Sequence, residues 1–112
     1  MEDLEMFVKR FSKAVGCHYH ITKRRDRFSL KKYETNKQNH MGVFGWIYET
    51  KDAFKIETYE YLANNQGKAD ADAQKRNMNW DKAGLRYSVR KGSNEKDFQK
   101  AVRALKVVLK NR

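Results

Sequence analysis

The end of the chain carries five lysines and arginines at a spacing that suits phosphate binding. They follow one another at steps of four, three, three and four, namely Lys96, Lys100, Arg103, Lys106 and Lys110. In a helix these steps keep them on one side, in a row about 20 Å long at ~1.5 Å per residue. Such a row would contact a nucleic-acid backbone and give salt-dependent affinity rather than base recognition. No acidic residue follows Asp97, so the row lacks the carboxylates that neutralise an ordinary solvated helix face.

A second basic group lies where a tight turn is predicted. Arg24, Arg25 and Arg27 join two short stretches with the pattern of β-strands. The planar guanidinium group suits bidentate hydrogen bonding to phosphate, so this turn is a candidate for clamping a backbone. In the last predicted strand, Arg86 and Arg90 alternate with apolar residues and are expected to point outwards. They would extend the same surface if that strand lies near the turn.

A metal-dependent nuclease is an alternative hypothesis. Glu49-Thr50-Lys51 ends an apolar stretch and Asp26 lies upstream, which resembles the acid-x-lysine element of the restriction-endonuclease fold. The resemblance implies carboxylates that hold Mg²⁺ and a lysine that supports the attacking water. In this chain, however, Glu49 to Lys51 leads into a predicted turn between two strands, where that fold continues into a helix. We therefore predict a protein that binds without catalysis, and keep Asp26, Glu49 and Lys51 as the alternative.

One cysteine and three histidines are candidate metal ligands. Cys17, His18, His20 and His40 are the candidates, and His18 and His20 would face the same way in a strand. No cysteine pair and no acidic neighbour accompanies them, so we predict neither a metal nor another cofactor. The single cysteine excludes an internal disulfide, and we expect a reducing compartment, cytoplasmic or nuclear, rather than secretion.

Composition favours a polyanionic partner. The 112 residues carry a formal net charge of +11, with 39% hydrophobic and 35% charged residues, which fits one small domain. Residues 1–40 hold 10 basic and 5 acidic groups and residues 81–112 hold 10 and 3, whereas the middle of the chain is nearly neutral. Uneven positive charge of this kind favours DNA or RNA, and a protein with an acidic surface is the alternative partner. No segment is apolar enough to span a membrane.

Periodicity predicts the elements that would position these residues. Apolar residues recur at helical spacing over 2–15 and 94–110, and alternation or apolar runs predict strands at 18–23, 27–33, 42–49, 54–62 and 85–90. Residues 63–84 show little apolar pattern and are predicted to be a long loop. We therefore expect an α+β fold in which an antiparallel sheet of four to five strands carries both helices on one face.

Aromatic residues are concentrated on the third predicted strand. Phe44, Trp46 and Tyr48 alternate there with smaller residues and are expected to share one face of the sheet. If that face were exposed, the rings could stack on nucleic-acid bases. Because large rings supply much of the buried surface of a small domain, we instead expect all three to lie in the core beneath the helices.

Overall fold

Helices at both ends of the chain enclose a run of strands. The structure is a computed structural model, and it describes residues 2–22, 24–34, 42–59, 83–92 and 95–110. Within these residues the elements are α1 (Leu4–Val15), β1 (His18–Ile21), β2 (Phe28–Lys31), β3 (Val43–Glu49), β4 (Ala53–Tyr59), β5 (Ala83–Arg90) and α2 (Glu95–Lys110). The predicted α+β class is confirmed. The predicted loop at 63–84 lies outside the described residues except for its last two positions, which begin β5.

The strands form one antiparallel sheet in chain order. Each strand pairs with the next, so β1 and β5 are the two edges. The β3–β4 hairpin closes where predicted, with the Thr50 N–H donating to the Ala53 carbonyl at 2.9 Å. Strands that follow one another in the chain commonly pair as neighbours in a sheet, and here all five do so.

Capping residues fix both ends of α1. The Asp3 side chain accepts a hydrogen bond from the Met6 N–H at 2.8 Å, which satisfies one of the free donors of the first turn. Gly16 ends the helix in the left-handed region, at φ 86°, and its N–H donates to the Ser12 carbonyl. A residue with a Cβ would be strained there, so glycine sets the point where the chain leaves the helix.

The core lies between the helices and one sheet face, here called the inner face. Phe28, Leu30, Ile47, Phe54, Ile56 and Val89 supply its sheet side. Phe7 of α1 is fully buried and stacks on Phe54 with ring centroids 4.3 Å apart. Phe98 of α2 packs edge-on against Phe7 at 5.9 Å. One aromatic cluster therefore joins α1, α2 and the sheet.

Arg10 holds the two helices together at their solvent-exposed edge. Its guanidinium carbon lies 3.9 Å from the centre of the Phe98 ring. The same group donates to Glu2 at 2.9 Å and approaches Glu95 at 3.8 Å. Cation–π stacking and two carboxylates thus fix the N-terminal turn of α2 against α1.

A bulge in β3 changes which aromatic residues enter the core. Leu30 pairs with Gly45 but Lys31 pairs with Val43, so β3 holds one extra residue at this point. The extra residue reverses the alternation, and Phe44 joins the core while Trp46 does not. Trp46 and Tyr48 lie on the opposite face of the sheet. The expectation that the three rings lie in the core beneath the helices is confirmed for Phe44. Trp46 is buried as expected but on the opposite face, and Tyr48 is half-buried there, so their predicted place beneath the helices is wrong.

Substitution of Gly45 by alanine is expected to destabilise the sheet. A Cβ at this position would lie 2.6 Å from the Glu57 carbonyl oxygen of β4, and a backbone atom in a paired strand cannot move aside cheaply. We expect a loss of ~1–3 kcal/mol in the free energy of unfolding, measured by urea denaturation. A variant within ~0.5 kcal/mol of the parent protein would mean that β3 and β4 separate easily here.

Candidate nucleic-acid interface

The face of the sheet opposite α1 and α2, here called the outer face, presents polar and basic side chains among the described residues. One row crosses all five strands at this face and consists of His20, Ser29, Trp46, Glu57 and Arg86. The next row contains Tyr48, Lys55 and Ser88. Strand pairing sets these positions because every residue opposite an outer-face residue also points outwards.

The turn between β1 and β2, here called the arginine turn, holds Arg24, Arg25 and Arg27, and Arg27 lies against the outer face. The Thr22 N–H donates to the Arg27 carbonyl at 3.0 Å, which closes the β1–β2 turn. The guanidinium carbon of Arg27 lies 5.7 Å from the centre of the Tyr48 ring. Arg24 and Arg25 are exposed at the tip, and Arg25 adopts a positive φ of 60°. The turn therefore orders Arg27 against the sheet and leaves Arg24 and Arg25 in solvent.

Tyr48 contacts Arg27 of the β1–β2 turn and Glu57 of β4. Its hydroxyl donates to a Glu57 carboxylate oxygen at 2.8 Å. Burial raises the pKa of Tyr48, and the hydrogen bond to Glu57 raises it further, while the positive charges of Arg27 and Arg86 lower it. Arg86 lies directly opposite Glu57, the residue that accepts this hydrogen bond, so Arg86 and Arg27 belong to the same region of the outer face.

Positive charge exceeds negative charge on the outer face. Arg90 is exposed opposite Ala53, and Lys55 donates to the Ser88 hydroxyl at 2.6 Å. Among the described residues of this face Glu57 is the single carboxylate, and it is engaged by Tyr48. Arg27 also approaches Asp26 of its own turn, at 3.8 Å. Among the described residues Arg86 and Arg90 form no ion pair with a carboxylate, whereas Arg27 is paired with Asp26 and Lys55 is hydrogen-bonded to Ser88.

Base stacking receives little support from this face. Trp46 exposes 7% of its surface, and the Arg27 guanidinium lies over the half-buried Tyr48 ring. Lys31 is also buried, and burial lowers its pKa. The outer face therefore offers cations to a ligand rather than aromatic rings, which fits contact with phosphates better than stacking on bases.

The basic row of α2 lies on the other side of the molecule. All five side chains are exposed, and at 100° per residue they lie roughly opposite the buried residues of the helix. Because that buried side packs on the inner face, the row points away from the sheet. We expected all the cationic groups to gather on one surface, but the structure separates them into the outer face and the α2 row.

Two of the three residues of the nuclease alternative have other partners. Glu49 forms an ion pair with Lys91, Asp26 accepts from the Thr22 hydroxyl at 3.2 Å, and Lys51 is exposed in the β3–β4 turn. The chain continues from Lys51 into β4, not into a helix. Among the residues that the structure describes, no group of three or more histidine, cysteine, aspartate or glutamate side chains is placed to hold a metal ion.

Cys17 and the histidines of β1 lie in different environments. His18 and His20 project from the outer side of β1, whereas the partly buried Cys17 packs against the core. His40, the remaining candidate ligand, lies outside the described residues.

Cys17 is expected to react slowly with thiol reagents. Burial raises the pKa of its thiol from the ordinary 9.0 to about 11. Near pH 8 the thiolate fraction then falls about 100-fold, and the thiolate is the nucleophile. Alkylation by iodoacetamide should therefore be about 100-fold slower in the folded protein than in guanidinium chloride, with no inflection in its pH profile below about pH 10. Comparable rates in the two states would contradict this prediction.

Sequence reasoning missed Lys55 and the ordering role of Tyr48. Lys55 lies between the buried Phe54 and Ile56 in β4, and because side chains alternate along a strand, its own side chain is expected on the other face of the sheet. Its position beside Tyr48 and Ser88 depends on strand register, and register is not visible in a single strand.

Comparisons of the chain with protein-family models, with curated proteins and with solved structures found no match. In the described part of the chain, neither helix has the length and apolar character needed to cross a membrane.

Proposed function

We propose that this protein is a non-enzymatic nucleic-acid-binding module whose outer face contacts the phosphate backbone. The observation that carries the proposal is geometric: Arg27 lies at the Tyr48 ring, the Tyr48 hydroxyl donates to Glu57, and Arg86 lies directly opposite Glu57 on the same outer face. Two segments far apart in the chain thereby contribute guanidinium groups to one surface. Exposed Arg90 extends it along β5, about 13 Å from Arg86 at ~3.3 Å per strand residue.

The proposed contacts are electrostatic and independent of base sequence. Each guanidinium group can donate two parallel hydrogen bonds to a phosphate, and its charge displaces a condensed counterion. Arg27 is held in advance by the Tyr48 ring, which lowers the entropy lost when a ligand binds. The paired strands keep Arg86 and Arg90 at fixed spacing, so the surface suits a regular backbone. This chemistry serves DNA and RNA duplexes alike.

The test removes two outer-face cations and compares the result with a matched control. Arg86→Gln with Arg90→Gln should weaken binding to a duplex of about 20 base pairs by roughly 10- to 30-fold, at ~1 kcal/mol per lost contact. Lys9→Gln with Lys13→Gln removes the same charge from the exposed side of α1 and should change affinity by less than about threefold. Fluorescence anisotropy at fixed salt measures both.

Equal losses in the two double variants would show that only net charge matters and would contradict a site on the outer face. An acidic protein partner is the other outcome of the same design. In that case neither DNA nor RNA would be retained, and a partner captured from lysate would survive nuclease treatment while still dissociating in salt.

A further inference from the structure

We propose that the α2 row is a second phosphate-binding surface, so that one molecule bridges two nucleic-acid duplexes. The inference rests on the proposed function of the outer face, since it assigns the second surface a ligand of the same chemistry. It is carried by the placement of two basic surfaces on opposite sides of a two-layer fold. The second surface consists of Lys96, Lys100, Arg103, Lys106 and Lys110.

The α2 row is exposed along its whole length and is not neutralised. None of its five side chains forms an ion pair with a carboxylate among the described residues. The acidic residues of α2 lie in its first turn, where Glu95 accepts from Gln99 at 2.9 Å and also approaches Arg10 of α1. The row therefore keeps its positive charge, which is the condition for binding a polyanion.

The dimensions of the row match a stretch of duplex. From Lys96 to Lys110 the helix rises about 21 Å, which corresponds to about six base pairs at ~3.4 Å each. The long side chains reach outwards from a helix whose opposite side is fixed in the core by Phe98, Val102 and Leu105. A rigid rod of cations is thus presented to the solvent.

A single short duplex cannot occupy both surfaces. The outer face and the α2 row point in opposite directions, with the sheet and the helix layer between them. The persistence length of duplex DNA is about 150 base pairs. A duplex of about 20 base pairs therefore behaves as a straight rod and does not wrap around so small a domain. Occupation of both surfaces therefore requires two duplexes, and the protein becomes a bridge between them.

The experiment measures bridging and single-duplex binding separately. A biotinylated duplex of about 20 base pairs is held on beads, and capture of a second, fluorescent duplex of the same length is followed as protein is added. One variant carries Lys100→Gln, Arg103→Gln and Lys106→Gln, and the matched variant carries Arg27→Gln, Arg86→Gln and Arg90→Gln. Each loses three charges from exposed or half-exposed positions. Thermal melting checks that both remain folded, and fluorescence anisotropy measures their binding to one duplex.

The parent protein should capture the second duplex, and capture should fall again when excess protein saturates every duplex singly. Both variants should still bind one duplex, yet capture should drop to the level seen without protein. Capture that persists in the α2 variant would overturn the inference. This includes the case in which a protein dimer carries the two duplexes, which sedimentation of the protein without DNA detects. Single binding without any capture by the parent protein would overturn the bridge and leave the proposed function standing. Failure to bind even one duplex would reject the proposed function itself.

Discussion

Replacement of Phe7 by alanine is expected to lower the free energy of unfolding by about 3–5 kcal/mol. Phe7 is fully buried, stacks on Phe54 at 4.3 Å and meets Phe11 and Phe98 at 5.9 Å each. Its ring therefore contacts α2 and the sheet as well as its own helix. A small domain has a total stability of only about 5–15 kcal/mol, so this one truncation removes a large fraction of it.

Urea denaturation followed by circular dichroism measures the effect. The control is Met6→Ala at the preceding residue of α1. Met6 is 55% exposed, so this substitution should change the free energy of unfolding by less than ~0.5 kcal/mol. If Phe7→Ala does not fold, Phe7→Leu retains most of the volume and should lose about 1–2 kcal/mol. A loss below ~1 kcal/mol for alanine would mean that the aromatic cluster does not hold the layers together.

Raising the salt concentration is expected to have the second large effect, on nucleic-acid affinity. A site with three to four phosphate contacts gives a slope of about −2.7 to −3.6 in log K against log salt, at ~0.9 per contact. Between about 50 and about 200 mM salt the affinity for a duplex should then fall roughly 40- to 150-fold. Fluorescence anisotropy over a salt series measures it, at concentrations low enough to avoid bridging. A binding constant that barely changes over this range would contradict neutralisation of phosphates.

The helices were predictable because their signals are local. Apolar residues recur at helical spacing within one segment of the sequence in each case, and the structure confirms both helices. In α1 the capping Asp3 and the terminating Gly16 lie in the same segment.

The sheet faces were only partly predictable, because alternation holds only between bulges. On β5 the alternation is regular, so the outward placement of Arg86 and Arg90 follows from the sequence and is confirmed. On β3 the extra residue opposite Leu30 and Lys31 places Phe44 in the core and Trp46 on the outer face of the sheet. A bulge depends on how two strands pair, so the pattern of one strand does not reveal it.

The distribution of the cations could not be predicted at all from spacing. Arg27 and Arg86 share the outer face because β2 and β5 belong to one sheet, which depends on strand order and register. The α2 row is separated from them because its helix packs on the other face. Both facts are tertiary, and a sequence shows only that each group is basic and regularly spaced.

The most direct test of the outer-face site compares salt dependence in two proteins. Because the α2 row is proposed to bind a duplex as well, both proteins carry Lys100→Gln, Arg103→Gln and Lys106→Gln, and the variant also carries Arg27→Gln, Arg86→Gln and Arg90→Gln. Both are titrated with one duplex across the same salt series. Each lost phosphate contact should reduce the magnitude of the slope by about 1, so the variant should give a slope shallower by about 2–3. Parallel slopes in the two proteins would show that these arginines do not touch phosphate and would contradict the proposed site.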